Sequence, residues 1–266
     1  MATLITKAPH LADWALSHGR ASLTTQEVAE HLGVPVGQVS ERMAEPMRRG
    51  EWSTPARGFW VPVPAEFRPW GAPPGLEIVD LFADWAGVDY YVGWLSAAQI
   101  HGAAHQSPQV FQVAVSRQLR DRRLGRTRFE FRKRAGIADL PVIHRQTHSG
   151  TARVATAELT ALDVARDVLF AGGRDNAATV VADLDEIVDL DRAELVRLAP
   201  RFAVSAVRRL GWMLEEFGNP DGLEELRATA LDGPATPSRL DPTGDLVGPL
   251  DARWNVRVNR IPEPDR

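Results

Sequence analysis

Apolar residues recur at helical spacing through the first fifty positions. Between His10 and His18, Leu11, Trp14 and Ala15 follow an i, i+3, i+4 rhythm that ends at Gly19, a residue suited to closing a helix. Thr24-Thr-Gln-Glu27 has the form of a capping box, in which the hydroxyl takes the amide three residues on and the glutamate reaches back. Val28, Ala29 and Leu32 then share a face, and Gly33 stops the helix. Pro35 suits the first turn of a further helix, along which Val39, Met43 and Met47 are four residues apart. Two short helices joined by a tight Gly-containing turn predict a helix-turn-helix. Glu51 to Thr54, a Pro55-Ala-Arg-Gly58 turn and Phe59 to Val63 predict a two-stranded wing behind it. Pro46 lies inside the second helix, where it removes a backbone hydrogen bond, so a kink or an end is expected near Ala44 to Glu45.

Prolines at 62, 64, 69, 73 and 74 read as a stiff connector, which places a domain boundary near residues 64–75. Beyond it the rhythm is mixed. Leu76 to Trp85 and Leu95 to Gly102 read as helices; Val110 to Ser116 and Arg128 to Arg132 alternate and read as strands. An arginine-rich loop, 117–127, would join those strands into a basic hairpin. Ala157 to Phe170, Asn176 to Val188, Ala193 to Leu198 and Ala203 to Phe217 read as helices, and Trp254 to Val258 as a strand returning to the sheet. The expected fold is α+β: an N-terminal winged helix-turn-helix (1–66), a larger mixed α/β domain (75–260) and a short tail (261–266).

Composition narrows the function. The 266 residues are 44% hydrophobic and 25% charged, which excludes a mostly disordered chain. Cys 0 excludes a disulfide scaffold, a thiolate metal site and a cysteine nucleophile. No continuous apolar segment heads the N-terminus, and the charge-free run between Asp89 and Arg117 carries two histidines and four glutamines, so a cytoplasmic location without a membrane span is expected. The net charge of -4 argues against indiscriminate coating of nucleic acid. Its distribution is uneven, however: residues 110–153 hold eleven basic residues against three acidic ones. A mildly acidic chain that concentrates arginine in one segment presents that segment to an anion, or pairs it with its own acidic third quarter.

If the helix-turn-helix reads DNA, its second helix enters the major groove by its N-terminal half. Gln38, Ser40 and Arg42 then face the bases, with Glu41 able to accept from cytosine. Arg48, Arg49 and Arg57 suit backbone phosphates, as do Arg117, Arg120, Arg122, Arg123 and Arg126 of the basic hairpin. The same hairpin equally suits an acidic protein surface.

One run is more specific. Tyr90, Leu95, Ser96, Ala97, His101 and Gly102 fall in the pattern Tyr-x-x-x-x-Leu-Ser-Ala-x-x-x-His-Gly, after a short winged helix and a proline connector and before a strand and basic hairpin. In this the chain resembles the antitoxin of AbiE-type abortive-infection toxin–antitoxin systems, including actinobacterial relatives, over most of its length to about residue 170. The resemblance implies a transcriptional autorepressor that binds inverted repeats in its own promoter, and a second domain that neutralises a nucleotidyltransferase toxin encoded alongside. The Gly-Ser followed by Asp-x-Asp expected of the toxin is missing, since no Gly-Ser dipeptide occurs.

Two alternatives stand beside it. One is a winged-helix regulator whose second domain binds a small molecule or protein, with no toxin. The other is a metal-dependent nuclease using Asp183, Asp185, Asp189 and Asp191, although the apolar residues between them favour an amphipathic helix with a solvated acidic face. His101 with His105 and His144 with His148 are spaced to share a helix face, but neither pair has the H-E-x-x-H glutamate. Phosphate-loop and nucleophile-elbow motifs are missing too. No catalysis, cofactor or metal is expected.

Overall fold

In the computed structural model, which describes residues 7–104 and 110–265, the capping box at Thr24 forms. The Thr24 hydroxyl accepts the amide of Glu27, and the Glu27 carboxylate accepts the amide of Thr24 at 2.7 Å. Burial alone would push the Glu27 carboxyl up, but those bonds and the neighbouring Arg20 hold it below its usual range. The box starts α2 (Thr25–Leu32), which follows α1 (Leu11–Ser17) and the short strand β1 (Leu23–Thr24). Gly33 closes α2 with a left-handed backbone. A 3-10 turn, Val36–Gln38, leads into α3 (Val39–Arg42) and α4 (Ala44–Arg48). The helix breaks at Met43, one residue earlier than expected. Pro46 has no N–H to give the Arg42 carbonyl, and its ring crowds that oxygen, so Arg42 ends its helix.

Strands β2 (Trp52–Ala56) and β3 (Phe59–Pro62) form the expected antiparallel hairpin, and β1 joins it in the order β1-β3-β2. Val28, Val39, Met43 and Leu11 fill the space beneath, with Trp52 and Trp60 meeting edge to face at 6.5 Å.

By packing the chain forms two units: Met1–Tyr91 with Gln109–Ala138 and His144–Arg153, and Val92–Pro108 with Asp139–Ile143 and Val154–Arg266. The proline connector therefore lies inside the first unit and does not end it. Part of it is a 3-10 helix, Ala65–Trp70, leading to α5 (Gly75–Ala86). The Phe82 ring of α5 lies 6.3 Å from Phe59 of β3 and 5.6 Å from Phe131, so one aromatic stack runs from the N-terminal hairpin into a larger sheet.

That sheet has the order β6-β7-β5-β4-β9-β8, built from β4 (Tyr90–Val92), β5 (Val110–Val115), β6 (Arg122–Leu124), β7 (Thr127–Lys133), β8 (Val142–Thr147) and β9 (Gly150–Ala155). The two alternating segments around the arginines, β5 and β7, are parallel neighbours, with Phe111 opposite Phe129 and Val113 opposite Phe131. The expected β5–β7 hairpin is thus replaced by a β6–β7 hairpin, antiparallel with Leu124 opposite Thr127. Tyr90 ties the sheet to α5: its hydroxyl donates to Asp80 Oδ1 at 2.8 Å and accepts the amide of Arg153 at 3.1 Å. Burial pushes this phenol well above its ordinary pKa, which keeps it neutral.

The second unit is mainly helical. α6 (Trp94–Ile100), α7 (Ala157–Arg166), α8 (Arg174–Val188), α9 (Arg192–Leu198), α10 (Val204–Phe217) and α11 (Glu224–Leu231) bury Leu159, Leu162, Val181, Leu184, Leu195, Leu210 and Met213. Trp254 packs flat against α10, where a Cβ on Gly211 would fall 2.0 Å from its ring. The strand expected near it does not return to the large sheet. Instead β12 (Val256–Arg257) lies between β10 (Ser238–Arg239) and β11 (Leu250–Asp251) in a small sheet of its own. Arg208 is buried without an acid and donates to the carbonyls of Ala230, Thr236 and Pro234.

The acidic run is solvated at Glu186, Asp189 and Asp191, but not at Asp185. Asp185 is buried and takes two hydrogen bonds from Arg192, at 2.7 and 3.0 Å, and one from the amide of Asn219. Asp191 caps α9 by accepting the amides of Ala193 and Glu194, and Asp189 closes α8 with a left-handed backbone.

Two outcomes test this packing. Phe82→Ala should cost about 3–5 kcal/mol of stability in urea unfolding, because it empties the centre of the aromatic stack. Asp185→Ala should cost about 3–5 kcal/mol, because Arg192 and the Asn219 amide lose a buried acceptor. Asp185→Ala matching the wild-type midpoint would show that this ion pair does not bind the helices together.

Candidate nucleic-acid interface

The 3-10 turn at Val36–Gln38 and the start of α3 leave Val36, Gly37, Gln38, Ser40, Glu41 and Arg42 exposed while Val39 and Met43 are fully buried. This split follows from the four-residue apolar spacing. Val36, Gly37 and Ser40 form one wall of a groove of about 850 Å³ whose other wall is the β2–β3 turn, Thr54 to Gly58. Arg57 stands exposed at that turn. Thr25 and Trp60 lie along the groove and are joined by a 2.9 Å hydrogen bond from the indole N–H to the threonine hydroxyl. Of the base-facing candidates, Ser40 lines the groove; Gln38 and Arg42 are exposed on the same segment but outside its lining.

The arginines of 117–126 do not act alike. Alternation along β6 sends Arg122 to this groove and Arg123 to a second cleft. Arg122 is partly buried: it donates to the Pro55 carbonyl at 3.0 Å and stacks its guanidinium 5.2 Å from the centre of the Phe82 ring. It is a strut under the β2–β3 turn. Arg117 donates to the Ala86 carbonyl at 2.6 Å. Arg120, Arg123 and Arg126 are exposed, and none of them makes an ion pair among the described residues.

The second cleft, of about 630 Å³, lies along β2 and gathers Arg48, Arg49, Arg123 and Arg126 from positions far apart in sequence. It also holds Arg68 and Trp70, which the sequence reading passed over as connector. Glu45 pairs with both Arg48 and Arg49, three and four residues on. The Arg49 hydrogen bond, then the charge of Arg48, hold the Glu45 carboxyl below its usual range. Arg68 reaches Asp13 at 3.4 Å.

His144 and His148 do not share a helix face. His144 lies on strand β8 and His148 just after it, where its Nδ1 is 3.1 Å from Glu77. His101 bonds the Ala155 carbonyl at 2.8 Å, and His105 lies outside the described residues. Among the described residues no three His, Asp or Glu side chains converge to hold a metal ion, and no helix is long and apolar enough to cross a membrane.

Trp94 opens α6 with a left-handed backbone at φ 47°, an outlier for a bulky side chain. Its indole N–H donates to Asp167 at 3.1 Å, and its ring meets Phe170 edge to face at 4.9 Å. The Leu-Ser-Ala-x-x-x-His-Gly run thus forms a buried helix, closed by the left-handed Gly102.

No curated protein matches the chain. In fold it is similar to the RV2827C protein from Mycobacterium tuberculosis, known from a crystal structure, at a TM-score of 0.66 and 16% identity over 96% of this chain and 92% of that one. Residues 91–216 match the family model of the AbiEi antitoxin C-terminal domain. Over that stretch the chain carries an AbiEi-type antitoxin C-terminal domain, a match that supports the AbiE-type antitoxin family.

Proposed function

We propose that the N-terminal helices and the β1-β3-β2 sheet are a winged helix-turn-helix that binds double-stranded DNA, and that the chain represses its own promoter as the antitoxin of a nucleotidyltransferase toxin. The observation that carries the DNA reading is the groove between the exposed Val36–Ser40 segment and Arg57 on the β2–β3 turn. A recognition helix supplies base contacts from its N-terminal half, and a wing supplies a cation to the flanking phosphates. Ser40 and Gln38 are placed for the first task and Arg57 for the second. Arg123 and Arg126, exposed on the same unit, add phosphate contacts beyond the groove. Arg122 supports the wing from behind through Pro55.

The toxin half of the reading rests on the antitoxin domain at residues 91–216, since an antitoxin implies a toxin partner. The reading is non-catalytic and places the protein in the cytoplasm, bound as two protomers on an inverted repeat.

Anisotropy titrations of the promoter duplex against a scrambled duplex, across salt, test the DNA half. The promoter should bind more tightly, with log Kd steep in log salt. Arg57→Ala should weaken both duplexes alike and lower the salt slope by about one; Gln38→Ala should cost about 1–3 kcal/mol on the promoter alone. Equal binding to both duplexes would overturn the repressor reading. The toxin half has its own readout: co-expression should restore growth to cells making the neighbouring nucleotidyltransferase, and Arg57→Ala should leave that rescue intact. Loss of rescue with Arg57→Ala would show instead that the wing faces the toxin.

A further inference from the structure

The Arg123-side cleft contains more than a track for duplex phosphates requires. We infer that it is a binding site for a free nucleoside polyphosphate, with the phosphates held by Arg123 and Arg126 and the base stacked on Trp70. This goes beyond the operator reading and does not depend on it.

Charge is the first ground. Among the described residues Glu45 pairs with Arg48 and Arg49 and Asp13 with Arg68, while the buried Glu51 lies 3.8 Å from Arg49 and pairs there rather than with Arg123 or Arg126. Arg123 makes only a long contact to the Gly125 carbonyl, at 3.4 Å, and the Arg126 side chain makes none. Their positive charge is unspent, and two such guanidinium groups in one cleft suit the several oxygens of a polyphosphate.

Shape is the second. Gly50, Gly71 and Gly125 all line the cleft, and all three have left-handed backbones. At Gly125 a Cβ would fall 2.1 Å from the Trp70 carbonyl, so the β6–β7 turn can approach the 3-10 helix only without a side chain. The Arg126 amide donates to that same carbonyl at 3.1 Å. The three glycines therefore let the Ala65–Trp70 helix close up on its backbone neighbours and shape one side of the cleft. The volume, about 630 Å³, is that of a small-molecule site.

The indole is the third. Trp70 is 46% exposed, with Phe67 behind it at a ring distance of 5.6 Å, so it is a supported platform. Duplex phosphate contacts make no use of an exposed indole; a base does, and stacking on an aromatic face is worth about 1–3 kcal/mol. The Trp52 indole N–H, buried in the wall of the cleft, has no hydrogen-bond partner.

Calorimetric titration of the full chain, without DNA, with ATP, GTP, CTP, UTP, tripolyphosphate and single-stranded oligothymidylate tests the proposal. At least one nucleotide should bind tenfold or more tightly than tripolyphosphate. Trp70→Ala should weaken it by about tenfold or more, Trp70→Phe should restore most of the loss, and Arg123→Ala/Arg126→Ala should weaken it by tenfold or more. Arg57→Ala should leave it unchanged, whatever that variant does to promoter binding. Circular dichroism of each variant establishes that it is folded. Nucleotides no tighter than tripolyphosphate, indifference to Trp70→Ala, binding of the oligothymidylate alone, or no binding at all would each overturn the proposal.

Discussion

Phe82 lies between Phe59 of the N-terminal hairpin and Phe131 of the large sheet, and the Arg122 guanidinium covers its ring while holding the Pro55 carbonyl. This stack makes one unit of segments that are seventy residues apart. Without it the β2–β3 hairpin would be held to α5 and the large sheet chiefly by the ring of Phe59 on Trp85 and by β2 alongside β6, and Arg57 would be less firmly fixed relative to Arg123 and Arg126. Both arginine-bearing clefts share β2 as a wall: Thr54 borders each of them. Their geometry is thus a consequence of aromatic packing, not of the arginines, which repel one another.

The sequence displays the parts whose signal is local. The capping box, Gly33 and the Val39–Met43 spacing name the helices, because each cause lies within four residues of its effect. Strand β6 is hidden because it is three residues long and two of them are arginine; only the buried Leu124 marks its inward face. Strand β8 is hidden for a related reason, since His144, Arg145 and Gln146 are exposed in succession and no alternation survives. Asp185 reads as solvated because its partner Arg192 lies beyond a helix end, and no periodicity reports a pairing across a turn. The clefts were legible only as a list of arginines. Which of them meet, and that Trp70 stands among them, follows from contacts between positions as distant as 48 and 126.

The family match and the packing divide the chain differently. The matched residues, 91–216, begin after the N-terminal helices and the β2–β3 hairpin, yet include β5, β6 and β7, which pack in the first unit. Matched residues therefore help to shape both arginine-lined clefts, through Arg122 in one and Arg123 and Arg126 in the other. This is a physical route by which the antitoxin domain and the N-terminal hairpin become hard to separate: Arg122 belongs to the first by sequence and braces the second by contact.

Arginines already at work inside the protein bound what electrostatics can contribute to binding. Arg117 and Arg122 are held by carbonyls, and Arg48 and Arg49 by Glu45. Among the described candidates this leaves Arg42, Arg57, Arg120, Arg123 and Arg126 neither paired with an acid nor anchored on a carbonyl distant in sequence. Counterion release follows the phosphates actually neutralised, with about 0.9 in the logarithmic salt slope for each. On the DNA reading proposed above, five free guanidiniums per protomer would hold the slope near 4 to 5, roughly half of what a count of all nine candidate arginines would suggest. On that reading, a chain with net charge -4 that limits its free cations in this way would depend on a few well-placed contacts, and the affinity lost in bulk charge would leave a larger share of recognition to Gln38 and Ser40.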